Sequence, residues 1–293
     1  MRKATLSHVP KAGRHLRKAL RNPRFLFASL ILVLFFGSAL LGNFLIWVDP
    51  EEINLSLRLC PPNAAHPFGC DTLGRDVFSA VILGSRITLY IAVLTVALSS
   101  ILGVSLGLIA GYWGGITDIL IMRLVDILMA FPGILLAMSL SSILGPSVHN
   151  VILAISVTGW TGTARLVRGQ VLSLRERDHV LASRSLGAGS FRLLTKHILP
   201  FLWTPLLVSA TFSLSGVIIV EASLSFLGLG ANSSTPTWGS LLFQGRAVLT
   251  EAPNLSIIPG MMIAVVVLAF NFLGDSLRDI FDPREKGSER RKS

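Results

Sequence analysis

The residues that stand out chemically in this chain are polar and ionisable groups set inside apolar runs. Asp118, Arg123 and Asp126 lie in one run, Glu221 in another, and Asn271 and Asp275 in a third. A charge in an apolar span is costly, so such groups face a protein interior or water and pair where a partner is in reach. Arg123 and Asp126, three residues apart, are placed to pair on one helical face. Two readings stand side by side for the whole set: structural contacts between helices, or the lining of a path for a solute. Catalysis has no candidate. There is no G-x-x-x-x-G-K-[ST] phosphate loop, no His-Glu-x-x-His motif and no G-x-S-x-G nucleophile turn. The histidines (His8, His15, His66, His149, His179 and His197) are scattered, and two cysteines exclude a Cys-rich metal site. We therefore expect no catalytic residue, no metal site and no ATP bound by this chain.

The elements that must position these groups are long apolar segments. The 293 residues are 52% hydrophobic and 14% charged, with a mean hydropathy of +0.67. A soluble domain carries about a quarter charged residues. In hydrocarbon every backbone polar group is satisfied within helices or closed barrels, and these runs are too long and too uniformly apolar for alternating barrel strands. We expect an all-α polytopic membrane protein with six transmembrane helices, at 25–48, 87–111, 116–144, 149–167, 201–223 and 255–275. Trp160, Thr161, Thr163 and Arg165 dilute the fourth. The run from Phe25 to Val48 is too long for a signal-peptide core.

Charge sets the orientation. Arg2, Lys3, Lys11, Arg14, Arg17, Lys18, Arg21 and Arg24 precede the first helix. Arg165, Arg168, Arg175, Arg177, Arg184, Arg192 and Lys196 surround the connection between the fourth and fifth. Arg278, Arg284, Lys286, Arg290, Arg291 and Lys292 crowd the end. With six spans these regions share one side, leaving only Arg58, Arg75, Arg86 and Arg246 opposite, and the positive-inside rule places both termini in the cytoplasm. The net charge of +10 is thus membrane topology rather than a nucleic-acid surface. The organisation read from this is a basic cytoplasmic segment 1–24, a first helix 25–48, an external loop 49–86, a five-helix core 87–280 with a cytoplasmic connection 168–200, and a tail 281–293. Cys60 and Cys70 share the external loop, on the side where disulfides form, as a bridge or as two free thiols.

Local patterns refine the picture. Gly103, Gly107 and Gly111, with Gly115 beyond, recur every four residues on one helical face and let another helix come close. Packing is one reading, a sliding surface another. Phe131-Pro132 bends the third helix, because proline removes a backbone donor. Asp178 to Leu186 reads as a short helix broken at Gly187-Ala188-Gly189, followed by a second from Ser190 to His197, with Pro200 starting the next span. Such an element is either a docking surface for a partner or a solvated loop.

That connection resembles the Glu-Ala-Ala loop of binding-protein-dependent ABC permeases. Leu181-Ala182-Ser183 occupies the motif's first positions, Gly187 follows at the family's spacing, and Leu199-Pro200 closes it. Leu181 replaces the family's acid, Ser183 its second alanine, and His197 stands where an aliphatic residue is usual. Further stretches resemble the C-type permease of the dipeptide/oligopeptide/nickel branch: His66-Pro67-Phe68-Gly69, Asp71-Thr72-Leu73-Gly74-Arg75-Asp76 and Phe131-Pro132-Gly133. Glu221 to Gly230, Thr235 to Gly239, Ala269 to Asp279 and Asp282-Pro283-Arg284 continue the likeness in order. The resemblance implies a type I ABC importer permease. It would form half of a pore with a second, different permease, dock two ATP-binding subunits through residues 181–189 as coupling helix (with Ala188 and Gly189 in its turn), and receive cargo from an external binding protein. Short peptides are the cargo implied first, nickel second. A secondary transporter would show inverted repeats and broken spans in matching halves, and an embedded enzyme a clustered catalytic set; neither pattern is present.

Overall fold

In a computed structural model, residues 22–46, 48–49, 52–230 and 236–281 are described. The basic residues up to 21, Thr235, and the tail from 282 with its Asp282-Pro283-Arg284 lie outside the described residues. Among the described residues the regular structure is helical, with one isolated bridge between Cys70 and Asp76. The principal helices are α1 (Pro23–Leu45), α2 (Val77–Trp113), α3 (Gly115–Ala130), α4 (Gly133–Leu144) and α5 (Val148–Leu174). They continue with α6 (Asp178–Ser185), α7 (Ser190–Phe226), α8 (Trp238–Gly245) and α9 (Asn254–Phe281).

Local chemistry sets the ends. Asn22 Oδ1 accepts from Arg24 N at 3.0 Å ahead of α1, and Pro23 takes the first turn, where no donor is needed. Asp76 Oδ2 accepts from Ser79 N at 2.7 Å and starts α2. This helix begins ten residues before the expected span at 87, so the last ten residues of the segment expected as the loop 49–86 are helix. The reason is burial: Ser79, Gly84 and Ser85 interrupt the apolar pattern of 77–86 but pack inward, against the segment around Trp238 in the case of Gly84. Phe131 is extended (φ −95°, ψ 141°), the conformation forced on a residue before proline. The expected bent span 116–144 is therefore two helices meeting at 87°.

Four helices, α1, α2, α7 and α9, are long and apolar enough to cross a membrane, and the α3–α4 pair makes a fifth apolar stretch. Helix α5 has 27 residues, a length of roughly 40 Å against a hydrocarbon core of about 30 Å. It is not among the helices apolar enough to count as a span by composition, diluted by Trp160, Thr161, Thr163 and Arg165, and Trp160, Thr161 and Thr163 are buried in the protein. The outward face of α1 is the opposite case: Leu30, Val33, Leu40 and Phe44 are 60–83% exposed. So large an apolar surface marks contact with lipid or protein rather than water.

The most extensive contact is between α2 and α5. A Cβ on Gly103 would lie 2.7 Å from Trp160 O, one on Gly107 2.6 Å from Ala164 O, and one on Gly111 2.8 Å from Val171 Cβ. From the other helix, a Cβ on Gly159 would meet Ser99 Oγ at 2.7 Å. The glycine face thus brings two backbones into direct contact. A separate core joins α1, α2, α8 and α9 around Phe35, Trp238 and Phe270, with ring centroids 5.3 Å and 6.5 Å from Phe35. Helix α9 approaches α7 at Gly274, where a Cβ would lie 2.6 Å from Thr211 Oγ1.

Candidate coupling and pathway sites

The segment between α5 and α7 is built as a short helix clamped at its base and bare at its tip. Asp178 in the first turn and Arg184 in the last complement the dipole of α6. The helix stops through paired bonds, Ala188 N to Ser183 O at 3.1 Å and Gly187 N to Arg184 O at 2.9 Å, with Gly187 at φ +83°. This is a Schellman closure, and its left-handed residue favours glycine. Val180 is fully buried among Val167, Val171, Leu174, Leu193, Leu194, Ile198 and Leu202, which anchors α6 between the ends of α5 and α7. Ser183 Oγ donates to His179 O at 2.8 Å and lies 3.5 Å from His197 Nδ1, while His179 packs on Phe201 with ring centroids 5.1 Å apart. By contrast Leu186 is 89% and Phe191 81% exposed, and Leu181, Ala182 and Gly189 are also exposed.

The separate helix expected from Ser190 to His197 is instead the start of α7. Leu193–Ile198 forms a π turn that runs into Leu199, whose N–H bonds back to Leu194 O. Pro200 explains the shift. It has no N–H for Lys196 O and its ring crowds that carbonyl, so the ladder upstream moves to the wider i to i−5 register. The base is also tied to α2: Arg175 Nη1 donates to Gly111 O at 3.0 Å, and the Arg184 guanidinium sits 5.7 Å from the Tyr112 ring centre.

The polar groups picked out in the apolar runs are placed as follows. Asp126 does not pair with Arg123; it accepts from Arg165 Nη2 at 2.8 Å across to α5. Asp118 holds Arg168 of α5. The cross-helix partners win because the short gap between α3 and α5 lets an arginine reach straight over. Asn271 Oδ1 lies 3.4 Å from Ser215 Oγ of α7, and its Nδ2 donates to Val267 O at 2.9 Å. Asp275 is exposed. Glu221 is 1% exposed, and its Oε1 accepts from Ser225 Oγ at 2.8 Å. Thr237 Oγ1 lies 3.4 Å from the same Ser225 Oγ, linking α7 to the cap of α8.

Outside the helices the loop motifs hold one another. Asp71 accepts from Leu73 N at 2.8 Å, Arg75 N at 2.9 Å and Arg75 Nε at 2.7 Å, and Arg75 Nη2 donates to Gln244 Oε1 at 3.1 Å. His66 Nδ1 lies 3.0 Å from Asp76 Oδ1. Asn254 Nδ2 donates to Phe68 O at 2.8 Å and Trp238 Nε1 to Val81 O at 3.0 Å. Cys60 and Cys70 are disulfide-bonded, with Cα atoms 4.9 Å apart.

Of the cavities that open along α7 among the described residues, two follow one another on the same face of the helix. One, of about 240 Å³, lies between α2, α4, α5 and α7. The other, of about 800 Å³, lies between α5, α7 and α9. Ser213 lines both. None of Asp118, Arg123, Asp126, Glu221, Asn271 and Asp275 lines either one. Apart from Arg278 at the wider cavity, the residues that do, such as Ser99, Thr158, Ser209 and Ser213, carry no charge to flag them. A polar stripe at Ser209, Ser213 and Gly216, at helical spacing, was the signal available.

A helical membrane protein with a clamped connection between two long helices and a groove along one of them is the class these features define. The family of binding-protein-dependent transport system inner membrane components is matched over residues 103–287. The chain is 40% identical over 270 residues to a dipeptide transport system permease protein of Alkalihalophilus pseudofirmus, covering 92% of this chain and 89% of that one. It is 40% identical over 271 residues to a glutathione transport system permease protein of Pectobacterium atrosepticum, covering 92% and 90%. Among solved structures, the inward-facing MetNI methionine ABC transporter aligns with a TM-score of 0.57 at 19% identity, over 70% of this chain and 98% of that chain. This chain belongs to the binding-protein-dependent transport system inner membrane component family.

Proposed function

We propose that this chain is one permease subunit of a type I ATP-driven importer for di- or oligopeptides. It lies in the cell's inner membrane, with α1, α2, the α3–α4 pair, α5, α7 and α9 as six spans and both termini cytoplasmic. A second, different permease completes the pore. Two ATP-binding subunits dock at α6 and its turn, and an external binding protein delivers the cargo. ATP is bound and hydrolysed by the partners; this chain converts their closure into movement of its helices.

The observation that carries the coupling role is the contrast within residues 178–200. Val180 is fully buried at the base, while Leu186 and Phe191 stand 89% and 81% exposed at the tip. Two large apolar side chains held out on a closed turn fit a groove in another protein. The arginines around them, Arg177, Arg184 and Arg192, favour an acidic rim on that partner. Leu181 in place of the family's acid leaves the docking apolar and arginine-based. The peptide reading is supported by the relatives' names, dipeptide and glutathione transport permeases at 40% identity.

Uptake tests the reading. Cells lacking the gene, and the same cells carrying it back, are offered labelled dipeptide and nickel side by side. Restored dipeptide uptake is the expected result. Restored nickel uptake alone overturns the cargo and keeps the mechanism, and restoration of neither overturns the peptide-importer proposal.

A further inference from the structure

The two cavities along α7 meet at Ser213 and make one groove, from Val220 at one end to Phe201 at the other. Its walls are hydroxyls, glycines, apolar side chains and the amide of Gln170, and among the described residues the one charged side chain lining it is Arg278, at the wider cavity. Ser99 is 6% exposed and lines the narrower cavity, and its hydroxyl, beside Gly159 of α5, has no hydrogen-bond partner among the described residues. Gly216 and Gly133 line the same cavity, and a Cβ built on either would meet nothing within 4 Å. They differ from Gly103 and Gly107, whose missing side chains are demanded by a neighbouring backbone. None of the described residues fills the space beside Gly216.

We infer that this groove is this subunit's wall of the substrate path, and that it takes an extended peptide through contacts to its backbone rather than a bare metal cation. This rests on the permease reading above. A peptide presents N–H donors and C=O acceptors along its length. A hydroxyl serves both, since it donates once and accepts twice. A divalent transition metal asks for imidazole, thiolate or carboxylate ligands, and no His, Cys, Asp or Glu is among the residues lining either cavity. Side-chain-blind contacts suit a path that passes peptides of many sequences. Arg278, at the wide end, is positioned to meet a peptide carboxylate.

The test uses the complete transporter, with partner permease, ATPases and binding protein, in proteoliposomes. Gly216→Ala and Gly216→Leu are compared with the parent for labelled dipeptide uptake, for ATP hydrolysis stimulated by the loaded binding protein, and for co-purification of the partner permease. Gly216→Ala is expected to transport within twofold of the parent. Gly216→Leu is expected to assemble and hydrolyse ATP but to lose uptake at least tenfold. Parent-like uptake by Gly216→Leu overturns the groove as the path, and loss of the partner permease overturns it in favour of a packed subunit interface. A parent transporter that imports nickel and no peptide overturns the peptide reading itself, whatever Gly216→Leu does.

Discussion

Arg168 holds Asp118 with both prongs of its guanidinium, Nε to Oδ1 at 2.5 Å and Nη2 to Oδ2 at 2.6 Å, pinning α3 to α5. The side chains are 31% and 17% exposed, whereas the neighbouring Arg165 and Asp126 are 50% and 55% exposed. A fork matched to a carboxylate and partly shielded from water is stronger than one open contact. A double-mutant cycle on Arg168 and Asp118 is expected to give a coupling of about 1 kcal/mol, and one on Arg165 and Asp126 about 0.5 kcal/mol or less. Equal couplings in thermal-unfolding measurements in detergent would contradict the ranking. Arg168→Lys is expected to behave like a loss of the pair, because an ammonium cannot grip both oxygens.

The glycine face of α2 makes a sharper prediction. A methyl group on Gly107 has to displace the Ala164 carbonyl, 2.6 Å away, and backbone does not yield as a side-chain tip does. Gly107→Val is expected to cost about 1–3 kcal/mol through overpacking, seen as a lowered midpoint of unfolding. Gly162, facing open space on α5, is the control: Gly162→Ala is expected to be neutral or stabilising.

Coupling and folding separate at the tip of the connection. Leu186→Asp and Phe191→Asp remove apolar groups that touch little of this chain, so insertion and thermal stability are expected to stay at parental values. Stimulated ATP hydrolysis and transport are expected to fall at least tenfold. Gly187→Val strains a residue at φ +83° where a side chain meets nothing within 4 Å, so it is expected to stay folded while transport drops. Parental transport in all three variants would remove the coupling role from this turn.

Glu221 is expected to act as a structural acceptor. Glu221→Gln keeps an oxygen for the Ser225 hydroxyl, 2.8 Å away, and is expected to retain transport and stability. Glu221→Ala strips that acceptor in a fully buried position and is expected to cost about 1–3 kcal/mol. Limited proteolysis between 226 and 238 reads the loosening directly. Equal protection of the parent and Glu221→Ala would count against Glu221 as the acceptor that helps join α7 to the cap of α8.

The Cys60–Cys70 bridge has a direct chemical readout. Cys60 and Cys70 are expected to resist a membrane-impermeant maleimide until a reductant is added, and then to take two labels. Labelling at both positions before reduction would show the bridge absent in the membrane.

Much of the architecture follows from the amino-acid order by itself. Apolar runs of span length leave the backbone no choice but helix. The Asp76 cap, the Gly187 stop and the spacing of Gly103, Gly107 and Gly111 are local patterns whose consequences extend over only a turn or a helix face. The tertiary structure alone decided which polar groups meet. Asp126 reaches Arg165 instead of Arg123, and Glu221 is sealed beneath Thr237 rather than open to a path, because both outcomes depend on neighbours distant in sequence. It also decided how α5, the span diluted by Trp160, Thr161, Thr163 and Arg165, is accommodated: Trp160, Thr161 and Thr163 are buried, and Thr163 packs against Gly103 of α2. The groove along α7 was least visible of all. A cavity is defined by where atoms are missing between helices, and neither the serines that line it nor the glycine that leaves it open differs in type from those buried in packing.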